Sequence, residues 1–218
     1  MRVSRVKTKD GSYTLINQEL NEQYHSMHGA IQEAQHVYVK HGFEATTQTA
    51  LRILEIGFGT GLNFLVTAAA QGNRSIYYEA VESSGLDFTI CRDLGYCRAL
   101  NREDLQSIYS AAHTSPWNSE VTLSPKIKLI KKGESIETVA LAAQFDLVYF
   151  DAFAPKVQPH VWTKEIFSKI YNSMSTNGLF VTYSAKGEVR RDLMDVGFQV
   201  EKLPGAPGKR EMLRAKKI

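Results

Sequence analysis

The sequence predicts an α/β fold: a mainly parallel sheet with helices on both faces. Three observations lead there. Short apolar runs alternate with segments of helical period along most of the chain, the pattern of strand–helix–strand units. The run Phe145–Phe150 is almost wholly apolar, as a strand covered on both faces should be. The residues with chemical character stand directly after strands, at Gly57, Gly59, Gly61, Glu82, Glu134 and Asp151, where open α/β sheets bind ligands.

The first forty residues read as a polar start and then a helix over 30–39, where apolar residues recur at helical spacing. A strand over 51–56 runs into the glycine turn, and the helix Leu62–Ala70 follows. Ser75–Val81 is a second strand closed by Glu82, and a helix covers about 86–94. Residues 101–125 are irregular in pattern, with Pro116, Trp117 and Pro125, and are expected to form a helical insertion with a loop. A third strand spans 127–130, a helix 135–143, and the fourth strand Phe145–Phe150. An amphipathic helix over 163–173 is capped by Asn177 and Gly178, before a fifth strand over 179–183 and a helix over 188–196. Residues 198–202 and 211–215 read as a closing antiparallel pair around a Pro/Gly loop.

The 218 residues are 43% hydrophobic and 22% charged, ordinary globular values that exclude a disordered, collagen-like or coiled-coil chain. The length suits one domain, 1–218, with a short N-terminal extension over about 1–45. No apolar run is long enough to span a membrane. The N-terminus has no apolar stretch behind its charges, so no secretory signal is expected and the location is cytoplasmic. Cys91 and Cys97 cannot make a disulfide framework, and no Cys/His spacing suggests zinc, so no metal is expected. The net charge of +3 says little about a nucleic-acid partner. Its distribution says more. Basic clusters lie at Arg2, Arg5, Lys7 and Lys9, at Lys126, Lys128, Lys131 and Lys132, and in a tail from Lys202 to Lys217. Each is a solvated surface unless several converge on one face, where they could follow a phosphate backbone.

Gly57, Gly59 and Gly61 alternate across a strand-to-helix turn. Such a turn needs unusual backbone angles and close approach to a ligand, and the helix start offers free N–H groups. Neither register fits the dinucleotide fingerprint, since Leu62 and Phe64 occupy the positions of its last small residue. Glu82, at the end of the second strand, stands where a carboxylate accepts from both hydroxyls of a ribose. Glu134 and Ser135 are placed to meet an adenine amino group. Asp151 ends the buried fourth strand, and the first and fourth strands of a doubly wound sheet are neighbours. It should therefore face the glycine turn across the crevice, with a pKa tuned by desolvation and nearby charge. Phe153 and Pro155 could wall a flat pocket beside it.

These residues resemble a known family. Glu55-Ile56-Gly57-Phe58-Gly59-Thr60-Gly61 with Glu82 resembles the first two motifs of S-adenosylmethionine-dependent methyltransferases. The continuation Leu62-Asn63-Phe64, the run Asp151-Ala152-Phe153-Ala154-Pro155, Trp162-Thr163, and the stretches 187–191 and 205–213 resemble one family in particular. It comprises the tRNA wobble-uridine methyltransferases that make 5-methylaminomethyl-2-thiouridine, the first half of bifunctional MnmC enzymes whose second half is a flavin-dependent oxidase. The resemblance covers about 24–213, including Tyr24 and Glu33. Where the family often reads Gly-Arg-Lys-Arg, this chain has Pro207-Gly208-Lys209-Arg210.

The resemblance implies a Rossmann-like class I S-adenosylmethionine-dependent methyltransferase fold, a mainly parallel seven-stranded sheet with a final antiparallel strand. It implies S-adenosyl-L-methionine as cofactor, contacted at Gly57, Gly59, Gly61, Asn63, Glu82, Glu134 and Asp151, with Glu55 and Ser135 beside them. It implies neither metal nor flavin, and a stand-alone methyltransferase acting on the tRNA anticodon loop after a separate enzyme has supplied an aminomethyl-uridine. Asp151 is then the expected catalytic group, accepting the proton of the acceptor amine or orienting it. Phe153 and Trp162 would receive the base, and Lys186, Arg190, Arg191, Lys209 and Arg210 would contact phosphates, unless they are simply core and surface. Two rivals share the fold: a small-molecule amine methyl- or aminopropyltransferase, and a non-enzymatic RNA-binding module. The intact glycines, Glu82 and Asp151 argue against the second.

Overall fold

A computed structural model describes residues 2–142 and 144–218. Its centre is an eight-stranded sheet. In chain order the strands after the N-terminal region are β4 (Ala50–Ile56), β5 (Ser75–Val81), β6 (Val121–Ser124), β7 (Ile127–Lys132), β8 (Phe145–Phe150), β9 (Met174–Thr182), β10 (Phe198–Pro204) and β11 (Glu211–Lys217). They lie in the order β10-β11-β9-β8-β4-β5-β7-β6. The run from β9 to β7 is parallel throughout. The last strand, β11, inserts antiparallel between β9 and β10. Strand order reverses at β4, which lies between β5 and β8.

Register decides where the site can form. Ile56 pairs with Val81 on one side and Phe150 on the other, and Val81 pairs with Lys132. The strands therefore end level. The residues that follow, Gly57, Glu82, Gly133 and Asp151, emerge side by side along one edge, the carboxyl edge of a doubly wound sheet.

Alternate strand residues feed separate cores. Leu54, Ile56, Val148 and Phe150 pack on one face with Phe167 and Leu193. Ile53, Leu147, Tyr149 and Val181 pack on the other with Phe64 and Val37. The α-helices among the described residues are α1 (Ala30–Ala34), which runs on as a π-helical segment Gln35–Lys40, α2 (Leu62–Ala70), α3 (Phe88–Arg92), α4 (Tyr96–Ala99), α5 (Gln106–Thr114), α6 (Lys164–Ser173) and α7 (Gly187–Val196). Thr163 caps α6 by accepting from the Ile166 N–H. Among the described residues, no helix is long and apolar enough to cross a membrane.

Several expected elements differ. The N-terminal region is no plain polar start. It folds as a small antiparallel sheet of β1 (Val3–Lys7), β2 (Tyr13–Asn17) and β3 (Glu22–Gln23), and Leu15 packs into a third core with α1 and α2. The sheet has eight strands rather than seven, because the 101–125 insertion ends in β6, which pairs antiparallel with β7. The helix expected over 135–143 is a single turn at 136–138, and Ala143 lies outside the described residues. Its apolar spacing is satisfied by that turn, which buries Ile136 and Val139. Lys169 Nζ takes the carbonyls of Ile136 and Glu137 at 2.7 and 3.0 Å, acceptors a longer helix would have used. Asn177 and Gly178 do not cap α6, which ends at Ser173. They lie within β9, where register shifts against β8 and Asn177 takes a left-handed φ of 66°.

Candidate active site

The glycine turn follows β4 directly. Gly57 has φ +91°, and a Cβ there would lie 2.8 Å from the Asp151 carbonyl oxygen. Only glycine lets these two strand ends approach so closely. Gly59 and Gly61 also take left-handed angles, and Gly61 leads into α2. The carboxylate of Glu82 is anchored to this turn. Its Oε2 accepts from the Gly59 N–H at 3.0 Å and its Oε1 from the Ser84 N–H at 2.8 Å. Burial pushes its pKa up, and the two backbone hydrogen bonds oppose that shift.

Asp151 sits across the crevice. Its N–H donates to the Ile56 carbonyl at 2.9 Å, continuing the β4–β8 ladder one residue beyond the strands. Its Oδ1 accepts from the Tyr38 hydroxyl at 2.5 Å and its Oδ2 from Asn63 Nδ2 at 2.7 Å. The same Asn63 nitrogen donates to Glu55 Oε1 at 2.9 Å, and Glu55 Oε2 accepts from the Tyr78 hydroxyl at 2.9 Å. Burial raises the Asp151 pKa to about 7; the Glu33 charge pushes the same way, while Tyr38, Asn63 and Lys209 pull it down. Burial likewise raises Glu55 well above the ordinary carboxylate range. Two carboxyl groups thus share one amide in the protein interior, and Asn63 Oδ1 is buried without a partner among the described residues.

A cavity of about 360 Å³ opens between Glu82 and Asp151. Tyr24 and Phe153 line it together and meet edge to face, with ring centres 5.0 Å apart. Of the expected site residues, Gly57, Gly59, Glu82, Glu134, Ser135, Asp151, Phe153 and Lys209 line this cavity. Asn63 and Glu55 stand behind Asp151 and orient it. Trp162 is not a stacking surface. It is buried in the core against Phe150, and its Nε1 donates to the Phe153 carbonyl at 2.8 Å, bracing that residue from behind. Gly61, Pro155, Lys186, Arg190, Arg191 and Arg210 lie outside the lining: Gly61 faces His113 and Phe58, Lys186, Arg191 and Arg210 are exposed, and Arg190 is half-buried on α7. Lys209 is no free phosphate contact: its Nζ pairs with Glu33 Oε1 at 2.5 Å.

The N-terminal region supplies Tyr38, which the motifs missed, beside residues that the resemblance already covers. Tyr38 holds Asp151, while Tyr24, His25 and Glu33 enter the lining. His25 Nε2 lies 2.7 Å from Thr60 Oγ1, which ties the glycine turn to this region. The insertion braces the opposite end. The Trp117 ring lies against Gly85 and Gly133, so that a Cβ on Gly85 would meet it at 2.5 Å. Asn118 donates to the Lys131 carbonyl at 2.7 Å and accepts from the Gly133 N–H at 3.1 Å. The loops that carry Glu82 and Glu134 are therefore held together by one segment. Among the described residues, no group of His, Cys, Asp and Glu is arranged to hold a metal ion.

The residues present suit a nucleoside-containing sulfonium: a carboxylate for the ribose hydroxyls, a turn without side chains for close approach, and a second carboxylate opposite for positive charge. Comparison with known proteins agrees. Residues 101–218 match the family described as S-adenosyl-L-methionine-dependent methyltransferase. The chain is 30% identical over 215 residues to the tRNA 5-methylaminomethyl-2-thiouridine biosynthesis bifunctional protein MnmC of Burkholderia multivorans, covering 92% of this chain and 33% of that protein. MnmC of Paraburkholderia xenovorans is 27% identical over 218 residues, covering 87% and 31%. The chain thus spans about a third of the length of the curated relatives it matches. The crystal structure of MNMC2 from Aquifex aeolicus matches with a TM-score of 0.75 at 26% identity, over 98% of this chain and 70% of that one. Spermidine synthase from Thermotoga maritima shares the fold, with a TM-score of 0.54 at 15% identity over 99% and 72%.

Proposed function

Because the chain belongs to the S-adenosyl-L-methionine-dependent methyltransferase family, we propose that it methylates the 5-aminomethyl group of the tRNA wobble uridine, giving 5-methylaminomethyl-(2-thio)uridine. The observation that carries this reading is Asp151, a carboxylate with a pKa near 7 set between the glycine turn and an aromatic-walled cavity. The name and similarity of the MnmC relatives support the acceptor.

When bound, S-adenosyl-L-methionine supplies an electrophilic methyl group on a sulfonium. Glu82 would hold the ribose hydroxyls, Glu134 and Ser135 the adenine end, and the turn at Gly57, Gly59 and Gly61 the backbone side. An aminomethyl group is mostly protonated at neutral pH and has no free lone pair. Asp151 Oδ would accept that proton, freeing the lone pair to form an N–C bond with the methyl carbon as its C–S bond breaks, the electron pair returning to sulfur and S-adenosylhomocysteine leaving. Tyr38 and Asn63 fix the carboxylate by one hydrogen bond to each oxygen, so its orientation is set before the acceptor arrives. Tyr24 and Phe153 offer ring faces and edges to a base turned out of the anticodon stack. Lys186, Arg190 and Arg210 would follow the anticodon-loop backbone, a cytoplasmic substrate. A separate enzyme must install the aminomethyl group beforehand.

Transfer of tritium from methyl-labelled S-adenosyl-L-methionine tests this, using tRNA whose wobble uridine carries an unmethylated aminomethyl group, with polyamines in parallel. Label is expected in the wobble nucleoside and not in the polyamines. Label confined to polyamines would favour the small-molecule rival. Absence of label despite cofactor binding would remove the tRNA assignment.

A further inference from the structure

One part-buried ion pair beside Asp151 has no part in the steps above. Glu33, on α1, is 7% exposed. Its Oε2 accepts from the Ser26 N–H at 2.8 Å, and its Oε1 accepts from Lys209 Nζ at 2.5 Å. That nitrogen also stands 4.0 Å from the centre of the Tyr183 ring. The Tyr183 hydroxyl donates to the Ala152 carbonyl at 2.9 Å, which ties the ring to the residue after Asp151. Glu33, Tyr183, Lys209 and Asp151 all line the same cavity.

A carboxylate facing an aromatic ring is an environment that selects an alkylammonium, through a charge-assisted hydrogen bond and a cation–π contact. Glu33 is buried and its Oε2 is held by the Ser26 N–H. Lys209 differs. It comes from the loop between β10 and β11, beside Gly208 at φ +86°, and its side chain is 33% exposed. The seat is built from α1 and the residue that follows β9, and its present occupant is a primary amine reaching in from a loop. The acceptor proposed above carries the same functional group, a primary ammonium on a methylene.

We infer that Glu33 and Tyr183 form the seat that first binds the acceptor's protonated amine, and that Lys209 fills this seat until the acceptor replaces it. The inference rests on the reading of the acceptor as an aminomethyl-uridine. Exchange of one ammonium for another keeps a single cation between Glu33 and Asp151, so the seat is never left as two uncompensated carboxylates. It also puts the ammonium beside the carboxylate that takes its proton.

The test compares two nucleosides as binding probes, 5-aminomethyluridine and neutral 5-hydroxymethyluridine. Each is titrated into the enzyme saturated with S-adenosylhomocysteine. The parent should prefer the amine. Glu33→Gln keeps a hydrogen-bonding amide and removes the charge, and should lower that preference about tenfold. Lys209→Met removes the competitor, and should tighten 5-aminomethyluridine several-fold while leaving 5-hydroxymethyluridine unchanged. S-adenosylhomocysteine affinity should stay within about twofold in both variants, a split that a general loss of structure would not produce. A preference unchanged by Glu33→Gln, or weaker amine binding in Lys209→Met, overturns the seat alone if the parent prefers the amine. A parent without that preference overturns the acceptor reading and the seat with it.

Discussion

Asp151→Asn loses methyl transfer by about 10²–10⁴-fold while still binding S-adenosylhomocysteine, the expected outcome when one proton acceptor is removed and its shape kept. Asparagine can accept from Asn63 and donate to the Tyr38 oxygen, so the geometry around Oδ1 and Oδ2 survives. The pH dependence follows from the carboxyl group's value of about 7, raised from 3.8 chiefly by burial. The parent's turnover at saturating substrates should rise through pH 7 as Asp151 ionises, and the variant should lack that limb. Stability moves the other way. Between pH 3.8 and about 7 the native chain holds a proton that the unfolded chain has released. The stability this group contributes is therefore fully present below that window and lost as pH rises through it. At pH 8 Asp151→Asn should unfold at or above the parent's temperature. An inactive variant that is also much less stable at pH 8 would point to a structural role instead.

Glu82→Ala is expected to weaken S-adenosyl-L-methionine binding by about 100-fold, since hydrogen bonds to a charged acceptor contribute ~1.5–3 kcal/mol each. The Gly59 and Ser84 N–H groups now directed at Glu82 would be freed together, so the turn loses its anchor as well as the ligand's partner. Glu82→Gln should fall between parent and Glu82→Ala, because an amide oxygen still accepts. Titration calorimetry with S-adenosylhomocysteine reads the effect without turnover. Near-parental affinity in Glu82→Ala would detach Glu82 from the cofactor.

The parts of the site that lie within single strand–turn units were legible in the sequence. Gly57, Glu82 and Asp151 each follow an apolar strand, and the level register of β4, β5, β7 and β8 brings them together. Tyr38 and Glu33 were not legible as partners, because their contacts to Asp151 and Lys209 join distant parts of the chain. No local pattern encodes such a pairing. The edge strand β6 was hidden for another reason. Its four residues, Val121–Ser124, alternate apolar and polar, but the run is short, ends at Pro125 and lies in a stretch that is otherwise irregular in pattern. Trp162 could be read from the sequence either as a ring that receives the base or as core. The structure shows that the ring supports the Phe153 carbonyl and fills the core. The helix expected over 135–143 followed apolar spacing that one turn was enough to bury.

Donor and acceptor are proposed to meet in one cavity, at Asp151. The most direct measurement is a crystal structure with S-adenosylhomocysteine and an anticodon stem-loop bearing 5-aminomethyluridine. The ribose hydroxyls should lie on Glu82 and the acceptor nitrogen within hydrogen-bond distance of Asp151, with the base against Tyr24 and Phe153. A ribose seated away from Glu82, or an amine directed away from Asp151, would contradict it.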